Sequence, residues 1–165
     1  MTSGRYDWSV NGAIPRLLDH SKAKHGIYRE YLRRYVRELT QDVRISRLSL
    51  NVVDGFAGGG VYLPERGVEL YYGSPIIFLE VMQEMQAEVQ SRRTSPFLLD
   101  YRVHLVDSDA GAQDMLLRTL TSRGFGHLVG ERVFLHRKTF EDALPSLLVD
   151  LRRRGSTIFV LDPRD

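Results

Sequence analysis

Three places in the chain combine residue types that could hold a ligand or position a reacting group. The run Asp54-Gly55-Phe56-Ala57-Gly58-Gly59-Gly60 follows the β-branched stretch LSLNVVD, and small residues after a buried strand let the backbone approach a ligand's charged tail or phosphates. The run lacks the Gly-Lys-Ser/Thr ending of an ATP-binding loop, so triphosphate hydrolysis is not its chemistry. Further on, HLVDSD sets Asp107 where a carboxylate accepts hydrogen bonds from both hydroxyls of a cofactor ribose. Ser108 or Asp109 could equally cap the next helix. Asp107 comes 49 residues after Gly58, against a usual spacing of about 20, so residues 61–75 read as an insertion. The third place is Asp162-Pro163, at the end of the most apolar segment, where a polar side chain faces the crevice in which open α/β sheets bind their ligands.

What the composition excludes is equally specific. The 165 residues contain no cysteine, which removes disulfides, thiolate metal sites and thiol nucleophiles together. The five histidines form no metal-ligand spacing, so no metal site is expected. No apolar run approaches the ~20 residues that span a bilayer and no secretory signal is visible, which predicts a cytoplasmic protein with no membrane contact. The first 50 residues hold ten basic residues against five acids, the remainder thirteen against sixteen. Twenty of the 23 basic residues are arginine. This asymmetry suggests an anionic partner at the basic end, or a solvated basic helix.

The elements that must carry these residues follow from periodicity. Residues 1–19, with Gly4, Gly12 and Pro15, read as an irregular arm before one domain over residues 20–165. From His20 to Leu39 the apolar positions recur at helical spacing while Arg29, Arg33 and Arg37 share another side, and Arg34 is placed to pair with Glu30 and Glu38. Strands are predicted at Leu48–Asp54, Tyr101–Val106, Arg132–His136 and Thr157–Leu161. Helices are predicted from Ser74 to about Gln90, from Ala110 to Arg123 and from Phe140 to Arg153. Ser74 reads as a capping hydroxyl ahead of Pro75. This alternation implies an α/β fold, a Rossmann-like, doubly wound, mostly parallel sheet in the order 3-2-1-4. The fourth strand would then be an open apolar edge, implying C-terminal truncation or a covering partner.

The segments HSKAKH, VVDGFAGGGVY, YYGSPIIFLE, HLVDSD, TFEDALPSLL and IFVLDP together resemble the three-Cys-motif partner (TcmP) family of the class I methyltransferase superfamily. They also resemble the RlmJ-type rRNA adenine-N6 methyltransferases. The resemblance implies S-adenosyl-L-methionine as cofactor, the cofactor half of a seven-stranded fold, and RNA or DNA as a partner. It places Asp54, Phe56, Ala57, Gly58 and Gly60 beside the methionine end of the cofactor and Asp107 on its ribose. Asp162 and Pro163 would face the methyl acceptor. Gly73, Ser74 and Pro75 would open a helix beside the pocket, with Lys22, Lys24 and His25 reaching over it toward the substrate. Two positions depart from the pattern. Arg164 and Asp165 replace the second proline and aromatic ring of the adenine-N6 enzymes, and Lys138 stands where an acid would hold the cofactor adenine, with Glu141 or Asp142 one turn later. A FAGxG loop also opens the cytosine-C5 enzymes, whose Pro-Cys nucleophile this chain lacks. The alternative is a non-catalytic partner module of a three-Cys-motif protein, in a phage-defence or mobile-element setting.

Overall fold

The computed structural model describes residues 7–8 and 14–162; Pro163 lies outside them. In chain order the elements are β1 (Arg16–Leu17), α1 (Asp19–Leu39), β2 (Arg47–Asp54), β3 (Val61–Pro64), β4 (Tyr71–Tyr72), α2 (Ser74–Ser91), β5 (Leu98–Val106), α3 (Ala110–Ser122), β6 (Val133–His136), α4 (Phe140–Leu151) and β7 (Ser156–Val160). The main sheet has the order β6-β5-β2-β7, and each of its three pairings is parallel.

Parallel neighbours require crossovers, and here helices supply them. On one face of the sheet Leu50 and Val52 of β2 and Leu99, Tyr101, Val103 and Leu105 of β5 pack with α1, α2 and α3 in a single core. Residues Ser74–Leu79 of α2 are all buried, which is why its sequence lacks a clean polar stripe. The opposite face is divided. Near the strand ends Val53 and Val106 pack beneath Ala143, Leu147 and Leu151 of α4. Toward the strand starts the same face carries Ser49, Asn51, Asp100 and Arg102, set side by side by the register Ser49↔Asp100 and Asn51↔Arg102.

Several expectations need correction. The arm before residue 20 is not wholly irregular: β1 pairs in parallel with β3, Arg16 donates to the Pro64 carbonyl at 2.7 Å, and Trp8 is buried. A two-residue strand has too few positions to show a period. The insertion at 61–75 supplies β3 and β4, which pair antiparallel. Gly73, not Ser74, is the N-cap of α2, because the Ser74 hydroxyl is drawn to Asp54 at 2.6 Å. Glu38 accepts from Gln41 at 2.7 Å, while Arg34 reaches Glu30 at 3.8 Å. Among the described residues no helix is long and apolar enough to cross a membrane, and no cluster of His, Asp or Glu could hold a metal ion.

Candidate functional site

The glycine loop is fastened at the ends of three strands. Past β2, the Gly55 amide donates to Val160 O and the Ala57 amide to Val106 O, both at 3.0 Å. Asp54 is buried and accepts from the Phe56 amide at 3.1 Å as well as from Ser74. These contacts make Asp54 and Ser74 the pins that hold the loop. Gly58 has φ +62°, a conformation that disfavours a side chain, and its amide donates to Asp107 Oδ2 at 2.9 Å. Gly60, at φ +72°, accepts from the Gly73 amide at 2.9 Å.

This places loop and acid together. Gly55, Phe56 and Asp107 line one cleft with Ser108, Asp109, Lys138, Thr139, Phe140 and Glu141, about 320 Å³ in volume. That is the small end of the ~300–1,000 Å³ range of ligand pockets. Asp107 Oδ1 also accepts from the Asp109 amide at 3.0 Å, so the carboxylate is fixed in orientation, and each of its oxygens carries two lone pairs. The side chain of Asp109 accepts from the Ala112 amide at 2.7 Å; it is the cap of α3. Thr139 caps α4 through Asp142 N at 3.2 Å. The rings of Phe56 and Phe140 stand 6.4 Å apart and give the cleft an aromatic wall. A side chain added at Gly55 would lie 2.7 Å from Leu161 and 3.1 Å from Phe140, so those two side chains fill the space above that glycine.

A second cluster forms where α1 crosses the end of β7. Lys24 Nζ is 2.7 Å from Asp162 Oδ1, and the Tyr28 hydroxyl donates to Asp162 Oδ2 at 3.4 Å. Burial, with the nearby charges of Asp162 and Asp54, pushes the Tyr28 hydroxyl up to about 12, so it remains a donor. Lys22 and His25 point elsewhere. They line a separate depression with Tyr71 and Tyr72, where Lys22 pairs with Asp19 at 3.2 Å and His25 stacks on Tyr71 at 5.7 Å. Burial lowers His25 to about 4, leaving a neutral ring whose Nδ1 is buried without a hydrogen bond.

Of the residues singled out from sequence, Phe56 and Asp107 therefore share the cleft with Lys138 and Glu141. Ala57, Gly58 and Gly60 are buried behind it, and Lys24 meets Asp162. Sequence reasoning missed Tyr28, which looked like one apolar position of α1, and Phe140 as a cleft wall. It also missed Trp8, whose indole donates to Val61 O at 3.2 Å and lies where a side chain at Gly59 would be, 2.4 Å away. The signal was available: Trp8 is the chain's one tryptophan, and so large an apolar group is seldom left outside a core. The chain matches no protein-family model and no curated protein.

Proposed function

We propose that this is an S-adenosyl-L-methionine-binding, methyltransferase-like protein with a Rossmann-like cofactor half, acting on or contacting nucleic acid. The observation that carries the reading is the convergence of the glycine loop and the Asp107 carboxylate on one cleft. The fit is to the adenosine half of the cofactor. Asp107 would accept from the ribose hydroxyls, the aromatic wall of Phe56 and Phe140 would flank the adenine, and Glu141 is the acid in reach of its amino group. The methionine end would require Leu161 and Phe140 to shift off Gly55.

The cofactor would supply a methyl group on a sulfonium, already a good leaving group, so the protein's task is positioning. Asp54 and Ser74 hold the loop, and Asp107 holds the sugar. Asp162 is the carboxylate available to accept from an acceptor amine. Its ion pair with Lys24 is nearly half exposed on both sides, and such pairs are worth only about 0–1 kcal/mol, so an incoming amine can replace the lysine at little cost. Calorimetric titration with S-adenosylmethionine, S-adenosylhomocysteine, adenosine and NAD tests the reading. The expected result is binding of the first three, lost in Asp107→Ala; NAD binding alone, or binding that survives Asp107→Ala, overturns it.

One observation favours the partner-module reading. Ile27, Tyr31, Phe159 and Leu161 are exposed apolar side chains around a groove between α1 and β7, a surface suited to a protein partner such as a three-Cys-motif protein. Cofactor binding without methyl transfer to any RNA or DNA pool would support that reading over catalysis.

A further inference from the structure

At the edge of the sheet opposite the cleft, the starts of three strands form a concave, strongly basic surface. Arg47 and Arg102 project from β2 and β5, and Arg153 and Arg154 from the turn before β7, around a depression of about 210 Å³. Four guanidiniums face one carboxylate there. Asp100 pairs with Arg47 at 2.5 Å, and Arg102, Arg153 and Arg154 form no ion pair among the described residues. Arg102 lies over the Phe134 ring at 5.6 Å.

This surface is built rather than incidental. Asn51 is buried, and its amide donates to Arg154 O at 2.9 Å and Ser156 O at 3.3 Å, which clamps the arginine turn onto β2. Gly155 sits between those carbonyls at φ +88°, and a side chain there would lie 2.3 Å from Ser49 O. The turn is thus pressed against the central strand, and its two arginines are presented from a fixed backbone. Central parallel strands are ordinarily covered on both faces by apolar packing; here half of one face is polar, open and positive.

The geometry points to this arginine surface as a binding site for the phosphodiester backbone of a nucleic acid. Guanidiniums bind phosphate oxygens bidentately and remain charged at any physiological pH. No apolar or aromatic side chain lines the depression, so it offers a free nucleotide's base no apolar or aromatic platform, whereas a polymer needs only its phosphates held. The six residue steps from Ser49 to Gly55, just past the end of β2, put roughly 20 Å between this surface and the cleft, so the two sites can be occupied together. The identity of the polyanion rests on the nucleic-acid part of the function proposed above; the anion site itself does not.

The test is fluorescence anisotropy with labelled 20-nucleotide single-stranded RNA and DNA of mixed sequence, over a salt series. The full chain is compared with Arg153→Ala/Arg154→Ala and with the charge-matched control Arg66→Ala/Arg118→Ala, whose arginines are exposed elsewhere. The expected result is about tenfold or greater weakening in the first variant only, with the slope of log K against log salt reduced by about 1.4 for two lost phosphate contacts at ~0.7 each. Equal affinities in the two variants, or competition by micromolar AMP or inorganic phosphate, would overturn it. S-adenosylmethionine titration of the same proteins separates the two readings. Absent cofactor binding with oligonucleotide loss intact refutes only the methyltransferase reading, and the reverse pattern refutes only this one.

Discussion

Two groups of arginines behave oppositely in this molecule. On α1, Arg29, Arg33 and Arg37 face Glu80, Glu84 and Glu88 of α2 at 2.8–2.9 Å, a ladder in which every rung joins residues 51 apart. At the strand starts, Arg102, Arg153 and Arg154 have no such partners among the described residues. By sequence the first group belongs to the strongly basic end and the second to the acidic remainder. Folding alters that reading: α2 neutralises the basic side of α1, and the open positive surface joins the arginine run at 152–154 and Arg102, both in the acidic remainder, to Arg47 of the basic end. Net charge per segment is therefore a poor guide to a polyanion surface unless the partner of each charge is known.

The sharpest way to break this contrast is to unseat the arginine turn. Gly155→Ala combines a positive φ with a collision against the Ser49 carbonyl, and a loss of about 2–4 kcal/mol is expected, read as a lower urea midpoint. Asn51→Ala leaves the carbonyls of residues 154 and 156 without their donor and should cost about 1–3 kcal/mol. Both variants should weaken oligonucleotide binding as well as stability. A variant that loses stability while binding unchanged would show that the turn's conformation is irrelevant to the surface.

How far the sequence reached differs between the regions for physical reasons. The four strands of the main sheet, the helices and the glycine loop were legible because each has a strong local signature: β-branched runs, a 3.6-residue period, a cluster of glycines after a strand; the short β1, β3 and β4 have none. Asp107 was legible because its place is fixed by the end of its own strand. The ladder was not, since the acids of α2 look like ordinary solvent-facing residues until the α1–α2 crossing is known. The arginine surface was hidden more deeply. It depends on Ser49 lying opposite Asp100 and on a clamp from Asn51, which reads in sequence as a polar interruption of a strand. The resemblance groups Lys22 and His25 with Lys24, but successive helical residues point in different directions, and of the three Lys24 is the one that pairs with Asp162.

Acid sharpens the same comparison. Beside the arginine surface, His104 Nδ1 and His136 Nε2 are 3.1 Å apart. Burial, with His136, Arg102 and Arg154 nearby and Asp150 opposing, pushes His104 down to about 4; burial and Lys138 lower His136, against Asp150. A histidine whose folded value lies below its unfolded value of 6.5 gives stability that is present above 6.5 and lost as the pH falls toward 4, because the unfolded chain takes up the proton first. The Arg37–Glu88 rung of the ladder does not change in that upper window, since Arg37 holds the Glu88 carboxyl below its ordinary range. Lowering the pH from 7 to 5 should therefore cost on the order of 2 kcal/mol for each of His104 and the buried His25. In His104→Phe the slope should be shallower, as measured by urea unfolding at each pH; an unchanged slope would remove this pair from the account.

The smallest effect is expected in the ladder itself. Arg33 and Glu84 are each about one-third exposed, and partly exposed pairs contribute roughly 0.2–1 kcal/mol, so Glu84→Gln should lower stability by about 0.5 kcal/mol and less in high salt. The informative readout is binding. Freed from Glu84, Arg33 becomes an unpaired cation on α1, and if unpaired arginines are what a polyanion senses, Glu84→Gln should tighten oligonucleotide binding slightly while leaving its loss in Arg153→Ala/Arg154→Ala intact. Were the ladder variant instead to restore binding fully to that double variant, any exposed guanidinium would serve, and the fixed backbone beneath Arg153 and Arg154 would have no part in recognition.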